Sequence, residues 1–259
     1  MKRRISFVLF ALMLTVMPVL AQGGNTVTFN GFSFSFDSAL ATNVSITQFP
    51  GDPPDYDGPG GPQPAHTQFV LHNEAAAPES MFDGVGGIQV YRTADFVVGS
   101  EYQSRYQQLQ DLLTTRPDLT SFQVVGPNAG NLTLPYLPVF SAAQVIRAQA
   151  RYRDGSGLSG ISYITAYRQD AYPFMASEFR YTFQGISADG QYYVTATFPI
   201  TASMFPAEIA SDFDYDDFIT NFQTYMDESV AALQNGTPED FAPSLNVLDS
   251  VIESFSLGL

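Results

Sequence analysis

Four stretches decide the fold: Gln144-Val-Ile-Arg-Ala-Gln-Ala-Arg-Tyr-Arg153, Gly160-Ile-Ser-Tyr-Ile-Thr-Ala-Tyr-Arg168, Ser177-Glu-Phe-Arg-Tyr-Thr-Phe-Gln-Gly185 and Gln191-Tyr-Tyr-Val-Thr-Ala-Thr-Phe-Pro199. Each is rich in β-branched and aromatic residues and alternates apolar with polar positions, the period of a strand. The connections carry Asp154-Gly155, Asp170 to Pro173, and Asp189-Gly190. Short polar turns join antiparallel neighbours, whereas parallel strands need a long crossover, usually a helix. The four stretches therefore predict an antiparallel meander. Strict alternation would also sort the charges. Arg147, Gln149, Arg151 and Arg153 would share one face, opposite Ile146, Ala148, Ala150 and Tyr152. Glu178, Arg180, Thr182 and Gln184 would share another, opposite Phe179, Tyr181 and Phe183. One surface of the meander is then expected to be apolar and the other to display guanidinium groups.

On the amino-terminal side, Thr26-Val-Thr-Phe29 and Phe32-Ser-Phe-Ser-Phe36 alternate around Asn30-Gly31, the strongest short hairpin signal. Val44 to Phe49, His66 to Leu71 and Gly87 to Arg92 read as further strands. Pro50 to Pro64 is so rich in proline and glycine that it excludes regular structure. A helix is predicted after Ser100, with Gln103 completing a capping box and Tyr102, Tyr106, Leu109 and Leu113 on its buried stripe. Arg116-Pro117 ends it. Residues 118–142, with Pro127, Pro135 and Pro138, read as irregular. Beyond the meander, a second helix begins near Asp214, buries Ile219, Phe222, Met226, Val230 and Leu233, and stops at Asn235-Gly236. A short helix after Pro243 buries Leu245 and Leu248, and a last strand alternates through Ile252, Ser254 and Ser256. The strands ahead of the proline-rich loop are too few to bury a core alone, so residues 22–259 are expected to form a single α+β domain: an antiparallel sheet packed by two to three helices.

The chain opens on Met1-Lys-Arg-Arg4, then a 16-residue apolar run from Ile5 to Leu20, then Ala21. A basic start, an apolar core and a small residue form a secretory leader, which we expect to be cut after Ala21. The run is shorter than the roughly 20 residues that span a bilayer, so no membrane span is expected once it is removed. There is no cysteine, which excludes disulfides and a lipid-modified cysteine. Without residues 1–21 the chain would hold no lysine and eight arginines against 26 acids, a balance of −18. Such a surface repels nucleic acid and anionic headgroups. The expected location is outside the cell, soluble or associated with the cell envelope.

An antiparallel sheet flanked by helices and closed by helix then strand resembles the PsbP-like fold, which also occurs in DcrB-type bacterial lipoproteins. Gly31-Phe-Ser-Phe-Ser-Phe-Asp37 and Leu248-Asp-Ser-Val-Ile-Glu-Ser-Phe255 carry this resemblance. His66-Thr-Gln-Phe69, Leu137-Pro-Val-Phe-Ser-Ala-Ala-Gln144 and Tyr181-Thr-Phe-Gln-Gly-Ile-Ser-Ala-Asp-Gly-Gln-Tyr-Tyr-Val194 are similar to a family of uncharacterised secreted bacterial proteins. The resemblance implies a fold and an export route. It implies no activity and no catalytic residue, because a fold hosts many functions.

The arginines of the meander are the leading candidate site. Arg147, Arg151, Arg168 and Arg180 would bind an anionic small molecule or an acidic protein partner through their planar forks. The plainer alternative pairs these arginines with Glu178 and with acids of a covering helix, such as Asp216 or Glu228. Asp212, Asp214, Asp216 and Asp217 lack the glycine and distal glutamate of a calcium loop and suit a helix start. Asp52, Asp55 and Asp57 would attract a divalent ion only weakly. His66 and His72 lie six residues apart on one strand, about 20 Å if extended, too far to share a metal. Leu158-Ser159-Gly160 lacks a nucleophile elbow, and no phosphate-cradling loop is present. No cofactor and no metal are expected. The leading expectation is a secreted, non-catalytic binding or interaction module. The alternative is a secreted hydrolase using a carboxylate pair or a weakly bound divalent ion.

Overall fold

A computed structural model describes residues 24–258 apart from 54, 57, 59, 124–132 and 156. The expected leader, Asp57 and Pro127 lie outside the described residues. In chain order the elements are β1 (Asn25–Phe29), β2 (Phe32–Phe36), β3 (Asn43–Phe49), β4 (His66–His72), β5 (Gly86–Arg92), α1 (Glu101–Thr115), β6 (Ala143–Asp154), β7 (Leu158–Arg168), β8 (Phe179–Ser187), β9 (Tyr192–Ala202), α2 (Tyr215–Thr220), α3 (Phe222–Asn235), β10 (Phe241–Ala242), α4 (Leu245–Glu253) and β11 (Ser256–Leu257). The main sheet runs β3-β4-β5-β9-β8-β7-β6, with β10 added beside β9, and β1-β2-β11 form a second sheet. Every pairing is antiparallel. The meander of β6 to β9 is present as expected. No helix among the described residues is long and apolar enough to cross a membrane.

Both faces of the main sheet are covered, which corrects the expectation of one apolar and one open polar surface. On one side Phe69, Ile88, Ile164, Tyr181, Phe183, Val194, Ala196 and Phe198 pack under β1-β2-β11, α3 and α4, meeting Phe32, Phe34, Met226, Leu233, Leu248 and Phe255. On the other side Tyr91, Ile161, Tyr163, Ile186 and Tyr193 meet Tyr102, Leu109 and Leu112 of α1 and Leu134, Tyr136 and Leu137 of the following irregular segment. The polar positions of this second face are also buried: Gln89, Thr182, Gln184, Thr195 and Thr197. A strand flanked on both faces tolerates such residues only when they are hydrogen-bonded. Gln184 meets that condition fully. Its Oε1 accepts from the Leu137 N–H (2.9 Å) and the Tyr193 hydroxyl (2.8 Å), and its Nε2 donates to Thr182 and Thr195 Oγ1, each at 2.8 Å. Gln144 reads the neighbouring main chain in the same way, accepting from Leu134 N at 3.0 Å and donating to Leu134 O at 3.4 Å. Two side-chain amides thus hold residues 134–137 over the sheet where no strand pairs with them.

Four local outcomes differ from the sequence expectations. The helix expected from Asp214 breaks at Asn221 into α2 and α3, so four α-helices are present among the described residues, and Ile219 stays 43% exposed instead of joining the stripe. The closing strand is shorter, because Leu245, Leu248, Val251 and Ile252 continue a helical spacing through α4. Ser100 does cap α1, but Gln103 Oε1 accepts from Gly99 N at 2.6 Å, one residue before the capping-box position. The fourth is a bulge in β6. The β6–β7 register slips between Ala148 and Arg151, and Gln149 adopts φ +51°. Its Nε2 donates to the carbonyls of Leu233 (2.8 Å) and Gly236 (2.9 Å), and its N–H donates to Gln234 Oε1 (2.8 Å). The C-terminal end of α3 thereby holds a conformation that a side chain with a Cβ seldom adopts.

Candidate functional site

The bulge decides where the arginines go. Before it, Ile146 and Ala148 face the layer of α3 and α4, and Arg147 faces the opposite layer. After it the alternation is inverted: Ala150 and Tyr152 join the α1 layer, and Arg151 and Arg153 turn toward α4. The expected common face of Arg147, Arg151 and Arg153 is therefore split between two sides of the sheet, since one extra residue flips every side chain beyond it.

Most of these arginines are engaged within the fold. Arg151 Nη2 lies 2.6 Å from Asp249, and Arg153 bonds the other oxygen of Asp249, Ser162 Oγ at 2.9 Å and Glu253 at 3.3 Å. The Tyr181 hydroxyl donates to the same Asp249 carboxylate, and burial is the chief cause that pushes this phenol up, ahead of the Asp249 charge. Arg168 bonds Glu178 and the carbonyls of Tyr172 and Pro173 and lies over the Phe174 ring. Arg147, only 3% exposed, donates to the carbonyls of Phe122 (2.5 Å) and Gln144 (2.7 Å). Arg180 differs. Its guanidinium lies against both Phe82 and Phe140, with Cζ 5.2 and 5.4 Å from their ring centres, and none of the ion pairs of the described residues involves it.

The acid cluster is a helix start: Asp214 Oδ1 accepts from Asp216 N (2.9 Å) and Asp217 N (3.0 Å). His72 bonds Ser45 Oγ (2.8 Å) and the Glu74 carbonyl (2.9 Å). His66 bonds the Pro64 carbonyl (2.9 Å), stacks on Phe49 with ring centres 4.7 Å apart, and lies 3.3 Å from Gln89 Nε2. Burial lowers the His66 pKa, against the raising pull of the Pro64 carbonyl and of Asp52.

His66 leads into a feature that no single sequence motif announced. A groove of about 410 Å³ opens between the loop 50–64, the outer face of β4 and β5, residues 79–82 and the α1 layer. Its floor is a set of neutral hydrogen-bonding groups. Gln68 and Gln89 face each other across β4 and β5, and Gln89 Nε2 donates to Gln68 Oε1 at 3.0 Å. The Tyr91 hydroxyl donates to Gln89 Oε1 at 2.7 Å and fixes that amide from behind. Tyr102, buried at the start of α1, interacts with Gln63 and the Val139 backbone, and its phenol is pushed up to about 12, chiefly by burial. Phe49, Tyr56 and Phe82 supply aromatic walls, and Asp52 and Glu79 supply carboxylates. Asp52 is partly occupied: its Oδ2 accepts the Gln63 N–H at 2.9 Å, while its own N–H donates to the Gln63 carbonyl at 2.8 Å. That reciprocal pair closes the proline-rich loop at its base. Gln68 and Gln89 lie within the two strands that the sequence predicts, but their meeting with Gln63, Phe82 and Tyr102 depends on separated segments. No family model matches the chain, and no curated protein matches it either.

Proposed function

We propose that the protein is an exported, non-catalytic binding module whose groove takes a polyhydroxylated ligand, a sugar. The carrying observation is the groove's lining: amides of Gln63, Gln68 and Gln89 and the Tyr102 hydroxyl beneath aromatic walls. Side-chain amides donate and accept at once, so they match hydroxyl groups that also do both. Phe49 and Tyr56 remain 38% and 46% exposed and offer apolar ring faces to the C–H side of a pyranose. The groove's size falls in the range of small-molecule sites. The leader-like segment supports export, and α4 and β11 closing against β2 support the PsbP-like kinship.

Calorimetry of the leader-free chain against mono- and oligosaccharides tests the proposal. Binding is expected, with Tyr56→Ala and Phe82→Ala each weakening it about tenfold through lost ring contact. Binding that neither substitution alters refutes the groove as the site. Asp52 and Glu79 on the groove support a second reading, a hydrolase acting on the bound glycoside. Turnover of aryl glycosides that Glu79→Gln abolishes would favour it over the binding module.

A further inference from the structure

We infer that Arg180 is an anion subsite adjoining the groove, and that the bound sugar carries a carboxylate, as in a uronic acid; this assignment rests on the groove being the ligand site. Phe82 is common to both features: its ring lines the groove, and Arg180 Cζ lies 5.2 Å from its centre. Phe140 lies 5.4 Å from Arg180 Cζ as well, and the two phenyl rings meet edge to face at 5.4 Å, so the guanidinium sits against the corner that they form. The guanidinium is therefore held in a fixed orientation by rings that supply no hydrogen-bond acceptor. Its Nε is sealed from solvent without a hydrogen-bond partner, the one such side-chain atom among the described residues.

This state is costly in a chain so rich in acids. Arg92, Arg105, Arg116, Arg151, Arg153 and Arg168 each have a carboxylate within 4 Å, and Arg147 has backbone carbonyls. A guanidinium without an acceptor calls for a group that completes it, and with Nε sealed a ligand reaches it by the Nη edge. The planar fork suits a carboxylate or a phosphate oxygen pair. A formal charge of −15 over the chain favours the monoanion, because a dianion meets the same single guanidinium against a larger repulsion. Asp52 and Glu79 line the groove itself and repel an anion there, so the ligand's charge belongs on the Phe82 side and its hydroxyls on the amide floor.

The test uses the leader-free chain at fixed ionic strength with glucose, glucuronate and glucose 6-phosphate as probes. Glucuronate is expected to bind about tenfold more tightly than glucose, the size of a charge-assisted contact. Arg180→Gln should bring glucuronate down to the glucose level and leave glucose binding unchanged, and Arg180→Lys should recover part of the preference. Arginine-selective labelling of the unaltered chain, read by peptide mass spectrometry, supplies a measurement that needs no variant: glucuronate should slow modification of Arg180 and glucose should not. Glucose binding with no preference for glucuronate overturns the Arg180 assignment and leaves the groove as a neutral-sugar site. Glucuronate binding that protects Arg180, without any glucose binding, supports the subsite and overturns the neutral floor as a sufficient site. Tighter binding of glucose 6-phosphate overturns the carboxylate in favour of a phosphate, and binding of none of the three overturns both assignments.

Discussion

Replacing Gln184 by methionine keeps the volume of a fully buried side chain and removes its five polar contacts, among them a long one from Nε2 to the Leu137 carbonyl. The cost follows from what each partner has left. Thr182 and Thr195 keep their donated bonds, to the carbonyls of Ala196 (2.9 Å) and Leu137 (2.8 Å). The Leu137 N–H and the Tyr193 hydroxyl lose the acceptor they share. A buried donor stripped of its acceptor costs about 1–3 kcal/mol, so Gln184→Met should lower stability by about 4 kcal/mol. The sharper test is the cycle with Tyr193→Phe. In the parent chain that change removes one satisfied hydroxyl and should cost about 1 kcal/mol. In the Gln184→Met background it removes an orphaned hydroxyl and should restore about 1 kcal/mol, a reversal of sign and a coupling of about 2 kcal/mol. Urea midpoints of the four proteins, measured at one pH, give the coupling directly. Equal costs of Tyr193→Phe in both backgrounds would refute the account of this face as a closed hydrogen-bond lattice.

Two further changes probe the arginine layer and the groove rim. Asp249, with 14% of its side chain exposed, joins Arg151, Arg153 and Tyr181, so Asp249→Ala should cost about 2 kcal/mol, chiefly by leaving the sheltered Arg153 with the exposed Glu253 as its remaining carboxylate, while Arg151 is 43% exposed and solvated. A loss below about 0.5 kcal/mol in urea titration would place the cluster with ordinary surface pairs. His66 has a folded-state pKa below 6.5, chiefly because burial disfavours its imidazolium. The unfolded chain then takes up the proton first; the contribution of neutral His66 is complete above pH 6.5 and is lost as pH falls toward and through its folded pKa. His66→Gln should therefore flatten the stability profile just below pH 6.5, and an unchanged slope in that window would count against a buried neutral imidazole.

Much of the architecture was readable because it rests on local signals. Asp154-Gly155 and Asp189-Gly190 separate alternating runs, and Asn30 and Gly31 take the positive φ values, 50° and 79°, that their hairpin requires. What could not be read depends on partners distant in the chain. Nothing in Ala148-Gln-Ala-Arg151 announces a bulge, since its conformation is held by carbonyls near residue 235. The continuation of α4 was legible in the spacing of Leu248, Val251 and Ile252, yet the alternation of Ile252, Ser254 and Ser256 fits a strand equally well, and packing against β2 decides between them. Among the arginines of the described residues, all but Arg180 have carboxylate or carbonyl partners, and sequence cannot separate a paired guanidinium from an unpaired one. The groove leaves no mark in the sequence because Asp52, Gln68, Phe82, Gln89 and Tyr102 converge only in three dimensions.

The irregularity at Gln149 sets which core receives each side chain that follows it in β6. Straightening the strand there with Gln149 kept would deliver Arg151 and Arg153 to the layer of α1, away from Asp249, and turn Ala150 and Tyr152 toward α4, whereas deleting Gln149 itself would remove the extra residue and leave both arginines facing Asp249. Insertions and deletions are ordinarily tolerated where loops meet solvent. In this strand the extra residue is itself what sends each later side chain to its core, so Gln149 is the position at which β6 can lose a residue without exchanging the contents of the two layers.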